Sequence, residues 1–273
     1  MSGKPPEDDD RVVEEIYDAL DEGAPTRALA SARIALHGAP DDPVLHFLAG
    51  VALLELDEAS GAVAEFDSAI ASDPDDPEFR AARAQALFAT CRFDDAKADA
   101  EAALATDPAQ GDALEVRGLV LEREGHFDEA DASFAACARL DPERYNVPVR
   151  LTPAAFGEAV ARAGALLPDE FKRRLDEVPT VVCDLPPDEI LLDDKSALDP
   201  QLLGLFAGDA LTERDFASDR IASPPRIFLF QRNLERYAKN EAELEAEIAR
   251  TLHHELAHFL GFAEEDMEAL DLD

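Results

Sequence analysis

The chain has 273 residues, of which 47% are hydrophobic, and carries a formal net charge of −36. That is apolar material for two domains, each with its own core, and it excludes a wholly disordered chain. The acidity serves solubility; it also repels phosphate backbones and anionic lipid, so nucleic acid and membrane surfaces are poor partners and a basic partner is electrostatically easier.

The N-terminus, "MSGKPPED", is polar and has no apolar h-region, so residues 1–8 are expected to form a disordered tail and not a signal peptide. Cys91, Cys137 and Cys183 are widely spaced and no CxxC occurs, which argues against a disulfide framework or a cysteine zinc site. No apolar run approaches the roughly 18–20 residues of a spanning helix. Together these features predict a reducing, cytoplasmic location.

A ruler of 34 residues follows. Prolines fall at Pro40, Pro74, Pro108 and Pro142, three of them after an Asp. A fixed period of this length marks stacked helical hairpins. With each proline placed at position 32, position 8 is Gly50, Ala84 and Gly118, and position 20 is Ala28, Ala62, Ala96 and Ala130. Position 24 is Ala32, Phe66, Ala100 and Phe134. Small residues let paired helices approach, large ones fill the space between pairs, and the proline ends each second helix. The first unit departs from the pattern, with Ile16 at position 8.

This pattern resembles a tetratricopeptide repeat (TPR) array, an all-α helical-hairpin solenoid of about four units over residues 9–145, the first degenerate. The resemblance implies a groove that takes a protein or peptide. Its lining would be Val44, Phe47, Val51 and Leu54, then Glu78, Ala81, Gln85 and Phe88, then Asp112, Glu115, Leu119 and Glu122. No basic cluster is present, so the ligand is expected to be basic or amphipathic. The alternative is that these residues pack against a neighbouring segment.

The second domain is expected over residues 146–273. Thr152 and Pro153 read as N-cap and N1 of a helix running to about Leu166, and "PDEFKRRLDEV" continues helically. "TVVCDL" (180–185) and "RIFLF" (226–230) read as strands, and "LGLFAG" (203–208) as a weaker one. The last helix opens at Asn240, with Glu243 positioned for a capping box. Glu241, Glu243, Glu245 and Glu247 load its start with negative charge, which suits the helix dipole. Leu244, Ile248, Leu252, Leu256 and Leu260 form an apolar seam, and Gly261 is placed to end the helix.

That helix contains "HHELAH". At about 100° per residue, His254 and His258 lie roughly 200° and 240° from Leu252, on one face opposite the seam. Two imidazoles one turn apart suit a transition metal. In a His-Glu-x-x-His site the glutamate, here Glu255, takes a proton from water at the metal and passes it to the leaving amine. His253 lies about 100° from His254 and need not face the metal. A catalytic zinc takes three protein ligands. In the compact H-E-x-x-H-x-x-G-x-x-H arrangement, the third ligand follows the glycine by three positions. That position is Glu264, with Asp266 as the competing carboxylate.

The segments "LTPAAFGEAVARAGALLPDEF", "LLGLFAGDALTERDF", "RIFLFQRNLER" and "TLHHELAHFLGFAEEDMEAL" together resemble the bacterial minimal zincin-like metallopeptidase family. The resemblance implies a small α+β fold, with Zn²⁺ held by His254 and His258 and with Glu255 as general base. The family often has Asp where this chain has Glu264. The expected activity is peptide-bond hydrolysis by zinc-activated water, with the repeats capturing a protein near the site. Zincins pair an extended substrate with an edge strand; "RIFLF" is the candidate, with a central place in the sheet as the other reading. The rival expectation is a TPR scaffold whose zinc site is structural or vestigial.

Overall fold

The structure, a computed structural model, describes residues 7–192, 198–208 and 224–262. The chain divides into two compact units, Met1–Tyr145 and Asn146–Asp273.

The first unit is a helical-hairpin solenoid. Its hairpins are α1 (Glu7–Asp21) with α2 (Pro25–Leu36), α3 (Pro43–Glu55) with α4 (Ala59–Ser72), α5 (Pro77–Ala89) with α6 (Phe93–Thr106), and α7 (Gly111–Arg123) with α8 (Phe127–Leu140). α1 takes in the last two residues of the tail expected at 1–8, and residues 1–6 lie outside the described residues. α3 and α5 start on a proline that follows an aspartate cap. Asp42 accepts the N–H groups of Val44 and Leu45, and Asp76 accepts those of Glu78 and Phe79. The carboxylate thus takes up N–H groups the helix leaves without partners.

The two size-patterned positions of the ruler meet each other. A Cβ on Gly50 would sit 2.5 Å from the Phe66 ring, and one on Gly118 would sit 2.5 Å from the Phe134 ring. Where position 24 carries Phe, position 8 must therefore be Gly; the third unit uses Ala84 with Ala100. The first unit inverts the sizes, with Ile16 and Ala32 both fully buried. Its departure from the pattern is thus a volume exchange. A second register is conformational. Gly23, Asp57, Cys91 and Gly125, each 34 residues apart, all have positive φ at the hairpin bend.

Several residues expected to line a groove are instead core. Phe47, Ala81, Phe88, Leu119 and Glu122 are buried, and Phe47 packs on Phe66 and Phe79 at ring separations of 6.0 and 5.2 Å. Aromatic side chains are drawn into the spaces between hairpins because they bury the most area there. Val44, Val51, Leu54, Gln85, Asp112 and Glu115 are half-buried, and Glu78 is exposed.

The second unit starts with α9 (Pro153–Leu166), capped by Thr152, whose hydroxyl accepts the Ala155 N–H. α10 (Asp169–Leu175), β1 (Thr180–Cys183) and α11 (Asp188–Leu191) follow, then β2 (Gly204–Ala207), β3 (Arg226–Phe230), α12 (Gln231–Tyr237) and α13 (Glu241–Leu260). The sheet order is β1-β3-β2, with β1 parallel and β2 antiparallel to β3. "RIFLF" is therefore the central strand. Ile227, Leu229 and Phe230 are fully buried, the composition of a strand paired on both sides. The edge beside α13 is β2. The core joins α9 and β3 to the α13 seam, in which Leu244, Ile248, Leu252 and Leu256 are fully buried. Among the described residues, no helix is long and apolar enough to cross a membrane.

Candidate metal centre

α13 is fixed at both ends. Asn240 accepts the Glu243 N–H at 3.0 Å, and the Glu243 carboxylate reaches back to the Lys239 N–H at 3.1 Å and the Asn240 amide at 2.7 Å. At the other end Gly261 adopts φ 90° and Phe262 N–H returns to the Ala257 carbonyl, a Schellman closure that needs the glycine. The buried seam sets the rotation of the helix, and that rotation sets where the histidines point.

His254 and His258 are half-buried, with rings edge to face and Nε2 atoms 3.1 Å apart. In a tetrahedral site with Zn–N bonds of about 2.0–2.1 Å, two nitrogens stand about 3.3 Å apart. The pair is therefore spaced as two ligands of one ion. Among the described residues no group of three His, Cys, Asp or Glu is placed to hold a metal. Glu264 and Asp266, the expected third ligands, lie outside the described residues. His253 packs its ring edge against Phe171 of α10, with centroids 4.1 Å apart, away from the pair.

Glu255 is 7% exposed and faces β2. Its Oε2 accepts the Phe206 N–H at 2.5 Å. The direction of that N–H follows from the ladder. Phe230 N–H donates to the Leu203 carbonyl, so by antiparallel alternation Leu205 and Ala207 turn their polar backbone groups toward β3, and Gly204 and Phe206 turn theirs outward. The carboxylate is thus held by the free side of an edge strand. A shallow cleft of about 250 Å³ runs beside it, lined by Leu203, Gly204, Glu247, Arg250 and Thr251 together with His254 and Glu255. A larger cleft of about 530 Å³ near Phe171, Arg174, Leu260 and Phe262 is lined by none of the three motif residues.

Sequence reasoning missed what makes this approach possible. A Cβ on Gly204 would lie 2.5 Å from Thr251 Cγ2 and 3.2 Å from both Glu255 Cγ and Oε1. The signal was present as a glycine inside a strand, which often marks close approach of another element. Gly204→Ala is expected to destabilise the protein by about 1–3 kcal/mol through overpacking. Gly204→Ala with Thr251→Ser, which removes the nearest methyl, should recover part of the loss. Thermal denaturation of the three proteins measures both effects.

Residues 175–273 match the family model described as zincin-like metallopeptidase, and residues 19–86 and 81–144 match models described as tetratricopeptide repeat. No curated protein matches the chain. Among solved structures, MamA from Desulfovibrio magneticus RS-1 is similar at 22% identity over 50% of this chain and 76% of that one, with TM-score 0.43. The TPR domain of Arabidopsis OM64 aligns at 24% identity over 37% of this chain and 84% of that one, with TM-score 0.36. YrrB, described as a TPR protein with an unusual peptide-binding site, aligns at 18% identity over 46% of this chain and 65% of that one, with TM-score 0.40. The chain is a fusion: N-terminal tetratricopeptide repeats are joined to a C-terminal domain of the zincin-like metallopeptidase family.

Proposed function

We propose that the C-terminal unit is a zinc-dependent peptidase and that the repeats bind the protein or peptide it acts on. The observation that carries this is the convergence of His254 and His258 at 3.1 Å beside the anchored carboxylate of Glu255. Zinc would be held by His254, His258 and Glu264, with Asp266 as the alternative third ligand. When bound, it supplies a Lewis acid that polarises the scissile carbonyl and makes water more acidic. Glu255 takes the proton from the attacking water and delivers it to the leaving amine. The Phe206 N–H fixes the orientation of its carboxylate, so it is ready before substrate arrives. An extended peptide pairs along the outward face of β2, where Gly204 presents unpaired-edge geometry next to His254 and Glu255. The repeats take a basic or amphipathic segment over the strip running from Val44, Val51 and Leu54 to Glu78, Asp112 and Glu115. Tethering then raises the effective concentration of that partner for the second unit.

Zinc content of the purified full chain tests the metal assignment. About one zinc per chain is expected, the number a single three-ligand site holds, and His254→Ala or His258→Ala should each lose it. Glu264→Ala should weaken zinc more than Asp266→Ala. Wild-type protein that stays metal-free after zinc reconstitution would end the proposal, and the reverse order of the two carboxylates would move the third ligand to Asp266.

A further inference from the structure

The cleft beside Glu255 has a charged wall that the hydrolytic reading leaves unused. Glu247 lies on α13 two turns before Glu255, so Glu247, Thr251 and Glu255 follow one another along the helix face that borders β2. Glu247 is 7% exposed. Arg250, three residues on, forms an ion pair with its Oε2, yet among the described residues no hydrogen bond of acceptable geometry reaches that oxygen. A buried carboxylate oxygen without a hydrogen bond is costly, and it is improved by any donor that reaches it.

The two members of the pair differ in freedom. Arg250 has 57% of its side chain exposed, and a single ion pair made by a solvated side chain is a weak restraint. Glu247 is fixed in the wall by the packed helix. The permanent charge of the cleft is therefore negative, and Arg250 is a displaceable counter-ion. Burial pushes the Glu247 carboxyl above its ordinary value, with Arg250 pulling the other way. At about 250 Å³ the cleft lies below the roughly 300–1,000 Å³ range of whole-ligand pockets, which suits one side chain of a longer chain paired along β2.

The geometry points to Glu247 as a specificity determinant: the cleft takes an arginine or lysine side chain of the bound peptide, whose cationic head replaces Arg250 on Glu247 Oε2. This inference rests on the peptidase reading for the path of the backbone along β2, and it assigns the substrate class as peptides with a basic residue next to the scissile bond. A guanidinium brings paired N–H donors to a carboxylate whose Oε2 now accepts no hydrogen bond in good geometry.

The test uses the full chain and a set of hexapeptides, Ala-Ala-X-Ala-Ala-Ala, with X as Arg, Lys, Gln or Glu, at about 0.15 M salt, where distant exposed charges are screened. Binding is measured on zinc-loaded Glu255→Gln protein and cleavage on zinc-loaded wild type. The Arg peptide should bind at least about tenfold more tightly than the Gln peptide, the effect of one hydrogen-bonded charge pair. Adding Glu247→Gln should reduce that ratio to under about twofold, and Glu247→Lys should reverse it toward the Glu peptide. Arg250→Ala should tighten the Arg peptide, because its competitor is gone; this variant needs no buried substitution. Because all variants carry the same acidic repeats, a ratio that moves with residue 247 locates the effect in the cleft. No preference for Arg, including no measurable binding, or a preference that survives Glu247→Gln, overturns the assignment. Arg-selective binding without cleavage by wild type keeps the cleft assignment and removes the peptidase reading; cleavage without basic preference does the opposite.

Discussion

Glu255→Gln is expected to keep its zinc and to lose peptide cleavage by about 10²–10⁴-fold, the range attributed to a positioned general base. The substitution is nearly isosteric, and its carbonyl oxygen still accepts the Phe206 N–H that Glu255 Oε2 accepts at 2.5 Å. The position of β2 against α13 is therefore preserved. The histidines are untouched, so zinc content measured by elemental analysis should equal that of the wild type. What disappears is the proton acceptor. Cleavage rates on a broad peptide library, set against zinc content, separate the two losses. If zinc is equal in the two proteins and both are equally inert, a TPR scaffold with a structural zinc gains over the enzyme. If Glu255→Gln loses zinc as well, the glutamate is holding the site together rather than moving protons.

The parts of this fold legible in the sequence are those whose causes are local. The 34-residue ruler could be read because helix-ending prolines and small contact residues act within one hairpin. α13 could be read because its cap, its acidic first turn, its seam and its closing glycine lie in one continuous stretch, from Asn240 to Gly261. Contacts between distant segments were less legible. "RIFLF" and "LGLFAG" were both visible as strands, but which of them forms the edge depends on pairing, and the central strand proved to be the more buried one. The charges at the start of α13 show the same limit. Glu241 and Glu243 serve the helix terminus, while Glu245 pairs with Arg162 of α9 at 2.8 Å and Glu247 lines the cleft. In the sequence all four are glutamates at alternate positions with one apparent role.

α12 is the element that sequence patterning hid most completely, and its largest consequence is energetic. It follows β3 directly, has no side-chain cap, and buries polar residues: Gln231, Asn233 and Glu235 are 6%, 2% and 1% exposed. An amphipathic pattern search places such residues outside. They are inside because they hold two chain segments that have no sheet partners. Glu235 accepts the Leu151 N–H at 3.0 Å, the Gln231 amide at 2.7 Å and Arg150 at 3.1 Å, while its own carbonyl accepts the Val149 N–H. This fixes the approach to α9. Asn233 donates to the carbonyls of Pro200 and Leu202, which fixes the approach to β2 and hence the strand that meets Glu255. Glu235→Ala is expected to cost about 3–5 kcal/mol, the usual result of removing one partner from a buried charged pair. That is a large share of the 5–15 kcal/mol available to an ordinary domain. Glu235→Gln should cost less, because its oxygen can take the place of Oε1, which accepts both Leu151 N–H and the Gln231 amide, while leaving Arg150, whose side chain is 23% exposed, to recruit water. Calorimetry of the full chain should show the transition of the C-terminal unit falling while that of the repeats holds. A loss below about 1 kcal/mol for Glu235→Ala, in the range of a solvated surface pair, would mean that water replaces the carboxylate, and that α12 is held by its apolar Leu234 rather than by its polar face.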